Sequence, residues 1–167
     1  GGRSAELAMD QINQRLFVTD GGNHRVLVFD VHPDRIENGA GALAVLGQDN
    51  FTSTEVGLSA TRWRLPGDLV VDETHQRLFV EVPFQNRALV FDIHPDRLRN
   101  GQTASFVIGQ ADFTSDEPGL SRRKIRQPDG ISYDAKNDYL YLSDNGHQRV
   151  LVFDVHPDRM QNLPEAI

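Results

Sequence analysis

Six cationic side chains lie at the ends of two long polar segments, and they are the residues in this sequence best suited to bind an anion. The first segment ends Thr61-Arg62-Trp63-Arg64, and the second ends Ser121-Arg122-Arg123-Lys124-Ile125-Arg126. Arginine binds carboxylates and phosphates through a planar fork of donors, and an aromatic ring beside it can stack on planar ligand groups. The two segments therefore predict a surface for an anionic or aromatic ligand, a nucleic acid strand included. The alternative is a pair of solvated loops whose charges offset an acidic chain.

Three histidines recur in an identical His-Pro-Asp-Arg context, at His32, His94 and His156. Equivalent residues on packed sheets lie roughly 10 Å apart. Zinc–nitrogen bonds are about 2.0–2.1 Å long, so one ion cannot collect these side chains. We interpret the motif as a turn that ends a strand. The recurring Arg25, Arg87 and Arg149 are likewise interpreted as structural, each paired with the acidic end of a neighbouring strand.

The composition excludes several classes of function. The chain has 167 residues, a formal charge of −7 and no cysteine, which excludes thiolate chemistry and argues against general attraction to polyanions. No apolar run approaches the roughly 20 residues of a membrane span. The sequence also lacks Gly-x-Ser-x-Gly, His-Glu-x-x-His and a glycine-rich phosphate loop. No catalytic residue, metal ligand or cofactor is identified, an enzyme is disfavoured, and the compartment is not decided.

These residues are positioned by a repeat. Asn-His-Arg-Val-Leu-Val-Phe-Asp-Val-His-Pro-Asp-Arg at 23–35 returns at 85–97 and 147–159, with a period of 62 residues. Each unit contains apolar segments of four to seven residues bounded by Gly, Pro, Asn or Asp, which are typical of strands. In the middle unit these are 67–72, 77–81, 87–92 and 104–110. The third segment is continuously apolar, so we expect both of its faces to be buried.

Four short antiparallel strands in tandem units predict the blades of a β-propeller. A β-sandwich of hairpins is the alternative, but it requires no fixed period. In up-and-down blades the turn between strands two and three lies on the same face as the loop from strand four to the next blade. The predicted ligand-binding face therefore combines the cationic loops with those turns, through Arg62, Trp63, Arg64, Phe84, Arg122, Arg123, Lys124, Arg126, Asp20, His24, Asp144 and His147.

The register divides the chain into three units, treated as one propeller segment over 1–167. Blade 1 is expected at about 4–48, blade 2 at about 66–110 and blade 3 at about 128–167, the last without its fourth strand. Propellers have four to eight blades. Either the chain belongs to a longer propeller of six blades, or two copies close such a ring as a homodimer.

Gly-Asn-His-Arg-Val-Leu-Val-Phe-Asp at 22–30 resembles the core signature of the NHL repeat family. Pro-Gly-Asp-Leu-Val-Val-Asp at 66–72 and Pro-Asp-Gly-Ile-Ser-Tyr-Asp at 128–134 are similar to the strand that precedes this signature. Leu-Gly-Gln followed by Phe-Thr-Ser is similar to linkers of bacterial members with long repeats. Two departures are the repeat length and Val82-Pro83-Phe84, which replaces an Asp-Gly turn.

The resemblance implies a six-bladed propeller that serves as a binding or scaffolding platform for a protein or an anionic ligand such as nucleic acid. A minority branch of the family is a metal-dependent lyase, which makes a fragment of such a lyase or a hydrolase the alternative. A lyase would need ligands such as Asp20, His24, Asp144 and His147 close to the ring axis.

Overall fold

A computed structural model describes residues 5–167. Ser4, the first residue of the predicted blade 1, lies outside this range. Eleven strands form three antiparallel sheets. Blade 1 contains β1 (Leu7–Asp10), β2 (Arg15–Asp20), β3 (Arg25–Asp30) and β4 (Ala44–Leu46). Blade 2 contains β5 (Leu69–Asp72), β6 (Arg77–Val82), β7 (Arg87–Asp92) and β8 (Phe106–Ile108). Blade 3 contains β9 (Pro128–Asp134), β10 (Tyr139–Asp144) and β11 (Arg149–Asp154).

Each sheet follows the order of the chain, and each strand pairs with its sequence neighbour. The all-β propeller-blade architecture predicted from the repeat is confirmed. The third sheet has three strands, but Ile167 already donates to the carbonyl of Val152 at 2.9 Å. Leu43 and Ser105 make the equivalent hydrogen bonds at the entrances to β4 and β8. Ile167 therefore occupies the position where the fourth strand of a blade begins. The described residues contain no helix that is long and apolar enough to cross a membrane.

Two apolar layers lie between the blades. Phe17 and Val28 of blade 1 pack against Leu78 and Phe91 of blade 2. The opposite face of blade 2 contributes Phe79, Ala88 and Val90, which pack against Leu140, Leu142 and Phe153 of blade 3. Blade 2 is therefore buried on both sides, and β7 is buried over 87–91 as its apolar sequence predicts. The equivalent strands β3 and β11 have the same sequence pattern, but each has a neighbouring blade on one side only.

Recurring arginines connect the blades on the face formed by the β1–β2, β5–β6 and β9–β10 turns, which we call the lower face; each forms an ion pair within its own blade and a hydrogen bond to the next. Arg15 pairs with Asp10 at 2.5 Å and donates to the carbonyl of Ile93 in blade 2 at 2.7 Å. Arg77 pairs with Asp72 at 2.6 Å and donates to the carbonyl of Val155 in blade 3 at 2.6 Å. Tyr139 occupies the equivalent position in blade 3.

Candidate functional site

The long loops and the 3-10 turns after the second strands form the opposite face, which we call the upper face. His24 in the first turn accepts a hydrogen bond from the backbone N–H of Leu65 at 3.1 Å. Asn86 accepts from the N–H of Gln127 at 2.9 Å, and Gly146 donates to the carbonyl of Arg126 at 2.9 Å. Each loop thus crosses from one blade to the next while resting on the turns. The sequence argument places loops and turns on one face, and these hydrogen bonds agree with it.

The loops are packed segments whose shape is determined by the Leu-Gly-Gln motif. Gly47 and Gly109 have φ angles of +88° and +89°, and a Cβ at Gly47 would lie 2.3 Å from the ring of Trp63. The buried Gln48 then exchanges two hydrogen bonds with the backbone of Glu55, at 2.8 and 3.1 Å. Gln110 donates to the carbonyl of Glu117 at 3.1 Å in the same way. The glycine admits an apolar side chain from the loop's end, and the glutamine fixes the loop's middle.

The recurring arginines anchor these loops. Arg25 pairs with Asp20 at 2.7 Å and donates to the carbonyl of Phe51. Arg149 pairs with Asp144 at 2.6 Å and donates to three carbonyls of the preceding loop, those of Leu120, Ser121 and Lys124. Both arginines therefore support the structural interpretation, because each pairs with the acidic end of the adjacent strand.

Arg87 differs because Val82 replaces the aspartate of the other units. It donates instead to the carbonyl of Phe113 at 2.6 Å, to the carbonyl of Ser59 at 3.2 Å and to the side chain of Gln85 at 3.0 Å. Its Nε has no hydrogen-bond partner. Burial lowers the pKa of Arg87 to about 10, although Asp116 and Asp112 oppose this shift. Arg87 thus connects the two long loops through their backbones.

Trp63 was predicted to lie on the ligand-binding surface, but it lies in the core. It is fully buried, and its ring meets that of Phe91 edge-on at a centroid distance of 5.5 Å. Ile125 occupies the equivalent position one period later and is also fully buried. An apolar residue at the same position of both loops was the sequence signal for this role.

Several predicted cations already have partners within the chain. Arg62 pairs with Asp49 and Glu55 of its own loop. Arg123 pairs with Glu165 at 2.7 Å, and Arg122 lies 3.5 Å from the same carboxylate. The Nζ of Lys124 donates to Gln110 at 2.7 Å. These four residues hold loops and the last described segment in place, and the three arginines among them are paired with carboxylates.

Of the six predicted cations, Arg64 and Arg126 are the two that are exposed and have no carboxylate partner among the described residues. The guanidinium of Arg64 lies 5.2 Å from the centre of the Phe84 ring, and Phe84 is 45% exposed. The side chain of Arg126 packs beside Gly146. Phe84 also lines a polar cavity of about 210 Å³, whose other lining residues are Pro83, Gln127, Pro128, Asp129 and Asn145. We call this cavity, together with Arg64 and Arg126, the upper cleft.

The aspartates and histidines predicted for this face make hydrogen bonds and ion pairs that stabilise the turns. Asp20 accepts from Asn23 at 2.9 Å in addition to its pairing with Arg25. Asp144 is fully buried, lies 3.0 Å from the Nδ1 of His147 and accepts from the N–H of Arg126 at 2.7 Å. Within 5–167, no cluster of three metal-ligating side chains includes Asp20, His24, Asp144 or His147.

One cluster with metal-like spacing lies on the lower face, between blades 2 and 3. The ligand atoms of Asp72, His75 and Asp138 lie within 4.8 Å of one another. However, Asp72 already accepts from the Arg77 guanidinium, and Asp138 accepts from the hydroxyl of Tyr133 at 2.6 Å. Burial opposes ionisation of Asp72, but hydrogen bonds from His75 and Arg77 outweigh it and lower the pKa. We interpret this cluster as a hydrogen-bond network that joins the blades, since an ion would have to displace Arg77.

A buried carboxyl group lies near the upper cleft, where sequence reasoning did not place one. Glu81 is fully buried in β6, and one of its oxygens accepts from the N–H of Gly130 at 2.9 Å. Its other oxygen has no partner. Burial raises the pKa of Glu81 to about 7, the hydrogen bond from Gly130 opposes the shift, and the nearby Asp68 and Asp129 add to it.

Comparisons with known proteins identify the fold. No family model matches the chain, and no curated relative matches it. Among solved structures, a putative 6-phosphogluconolactonase from Bacteroides uniformis has a TM-score of 0.60 and 16% identity over 96% of this chain. A chain of a nidogen/laminin complex has a TM-score of 0.55 and 16% identity over 89% of this chain. The chain spans 43% and 42% of the lengths of these two proteins. Both similarities establish the β-propeller-type fold alone.

Proposed function

We propose that this chain is part of an NHL-type β-propeller and acts as a non-catalytic binding module. We place its ligand in the upper cleft and identify the ligand as a peptide segment of a partner protein that carries an acidic side chain. The observation that carries the proposal is the pairing of an exposed ring, Phe84, with the exposed cation Arg64 at 5.2 Å beside a polar cavity.

The chemistry of the cleft favours a protein segment over a nucleic acid. Its two uncompensated cations, Arg64 and Arg126, can receive a carboxylate. Gln127 and Asn145 line the cavity and can donate to and accept from a peptide backbone. Exposed aromatic and arginine side chains are also the types enriched at protein interfaces.

The other cations do not extend the cleft into a basic groove. Arg62, Arg122 and Arg123 are paired with carboxylates of the chain itself. A track for a polyanion requires several unpaired cations along its length, because affinity comes from neutralised phosphates. The formal charge of −7 points the same way.

The test uses arrays of hexapeptides that contain Asp or Glu beside an aromatic residue, with matched peptides that contain Asn or Gln. We expect the acidic peptides to bind preferentially, and Arg64→Ala and Phe84→Ala to weaken the selected peptides about tenfold each. Arg99→Ala is the matched control, because Arg99 is an exposed arginine on the lower face. Binding should be measured by fluorescence anisotropy.

Two results would refute the proposal. The first is selected peptides that bind Arg64→Ala and Phe84→Ala as well as they bind the unaltered chain. The second is a single-stranded oligonucleotide of about 20 nucleotides that binds more tightly than any peptide, with the steep salt dependence of phosphate neutralisation.

A further inference from the structure

The first terminal blade exposes a face that is covered in its neighbour. Leu16, Val18, Leu27 and Phe29 of blade 1 lie on one side of the sheet and are half-buried. Their equivalents in blade 2, at 78, 80, 89 and 91, are fully buried against blade 1. Leu7 is 61% exposed, whereas its equivalent Leu69 is 4% exposed. We call this side of blade 1 the leading face.

The other terminal blade exposes the complementary side. Tyr141 and Val150 of blade 3 are 38% and 62% exposed, and Val152 beside them is half-buried. Their equivalents Phe79, Ala88 and Val90 form the side of blade 2 that packs against blade 3. We call the exposed side of blade 3 the trailing face. Within the chain, a trailing-type side meets a leading-type side at both blade contacts.

We propose that the leading face of one chain packs on the trailing face of a second copy, and that two copies close a ring of six blades. Inside the chain, a leading-type side packs on a trailing-type side at each contact between blades. The two exposed faces carry the equivalent residues, because the three blades repeat with one register. Two copies of these three blades give six, which lies within the four to eight blades of propellers, whereas three copies would give nine. A head-to-tail contact that closes after two steps buries both open faces of both copies.

The contact between copies resembles the internal contacts with two differences. Tyr139 replaces the arginine that donates to the next blade, and its hydroxyl can donate to the carbonyl of Val31, the equivalent of Ile93. Asn100 and Asn162 accept from the N–H groups of Val45 in β4 and Val107 in β8, each at 3.0 Å. The equivalent Asn38 has no fourth strand to meet in a three-stranded blade 3. We therefore expect a dimer that dissociates on dilution.

The test is sedimentation velocity of the chain from about 1 to 100 µM, where we expect a species of twice 18.7 kDa. Val150→Asp should weaken the dimer at least about 100-fold, because it buries an unpaired carboxylate in the contact. Leu7→Asp should do the same from the other side. Val56→Asp is the matched control, since Val56 is a similarly exposed valine in the first long loop. Circular dichroism should show the same strand content for all variants.

Mixing the variants distinguishes head-to-tail packing from a contact between two identical faces. The Val150→Asp chain keeps an intact leading face, and the Leu7→Asp chain keeps an intact trailing face. Their mixture should therefore regain a dimer through one unaltered contact, although neither variant dimerises alone. A chain that stays monomeric up to about 100 µM, forms open polymers, or gives no mixed dimer would overturn the proposal.

Discussion

Side chains at equivalent positions of the repeat have different roles because their neighbours differ. Arg25 and Arg149 each pair with an aspartate, whereas Arg87 lies opposite Val82 and donates its hydrogen bonds to carbonyls of the long loops. Glu81 takes the place of Thr19 and Ser143 and is buried with one oxygen unpartnered. The middle unit, which is enclosed by blades on both sides, thus buries an arginine and a glutamate whose equivalents in the outer units are more exposed or are uncharged residues.

The buried Glu81 predicts a dependence of stability on pH. Its pKa rises from 4.5 in the unfolded chain to about 7 in the folded one, so the folded state binds the proton more tightly. The contribution to stability is complete below about pH 4.5 and is lost as the pH rises through 7. Glu81→Gln, which stays neutral, should therefore gain about 3 kcal/mol relative to the unaltered chain between pH 4.5 and pH 8.

Urea unfolding of both proteins across that range measures the difference, which removes the contribution of all other titrating groups. Those groups include Asp10 and Asp72, whose pKa values are lowered despite their burial because arginine and backbone donors stabilise the carboxylates. A constant difference between the two proteins from pH 4.5 to pH 8 would show that Glu81 titrates normally.

Gly47 predicts a second effect at the scale of one residue. Ala at this position would place Cβ 2.3 Å from the Trp63 ring and would adopt a φ of +88°. We expect Gly47→Ala to destabilise the chain by about 2–4 kcal/mol, which combines overpacking with backbone strain. Gly39→Ala is the control, because Gly39 has a φ of +79° but nothing within 4 Å of the added atom. Thermal unfolding that shifts equally in both variants would contradict the packing argument.

At the scale of elements, the long loops are held in place by residues that recur in the repeat, namely the Leu-Gly-Gln motifs and the recurring arginines. The sequence predicts the strands to within about two residues at most boundaries, since the apolar segments and turn residues recur three times. It predicts the shared face of loops and turns for the same reason. The sequence did not show that Trp63 is buried while the cations beside it are not. Burial of a loop residue depends on the residues on which it packs, here Gly47 and Phe91.

The candidate site was only partly predictable for a related reason. Arg64, Phe84 and Arg126 were identified from their types, but the pairing of Arg122 and Arg123 with Glu165 joins residues 42 or more positions apart. Such partners depend on the path of the chain between blades. The cavity residues Gln127 and Asn145 carried no distinguishing signal, since both occupy ordinary turn positions.

The loop anchoring predicts the effect of removing Arg87. Arg87→Ala leaves the carbonyls of Phe113 and Ser59 without their buried donor, so we expect a loss of about 2–3 kcal/mol in unfolding free energy. Hydrogen exchange should accelerate in both loops, at 49–65 and 111–127, and remain slow in β5 to β7. Arg99→Ala should leave exchange unchanged. Equal acceleration throughout the chain would mean that Arg87 stabilises the fold globally and not these loops.

At the scale of the whole molecule, the two contacts between blades use residues at equivalent positions of the repeat. The two exposed outer faces carry equivalent residues at these positions, with exceptions. The clearest exception is Tyr139, which stands where Arg15 and Arg77 join one blade to the next. Asp134 is present at the position of Asp10 and Asp72, so an arginine at 139 would find its usual carboxylate in the same blade.

Tyr139→Arg should therefore tighten the proposed dimer. The new guanidinium would pair with Asp134 and donate to the carbonyl of Val31 in the second copy, as Arg15 donates to Ile93. One charged hydrogen bond corresponds to about a tenfold gain in affinity, or about 1.4 kcal/mol. Sedimentation equilibrium measures the change, and Tyr139→Phe, which removes the hydroxyl without adding a charge, should weaken the dimer. If Tyr139→Arg and Tyr139→Phe dissociate at the same concentration, the trailing face does not meet Val31, and the ring closes in another register or not at all.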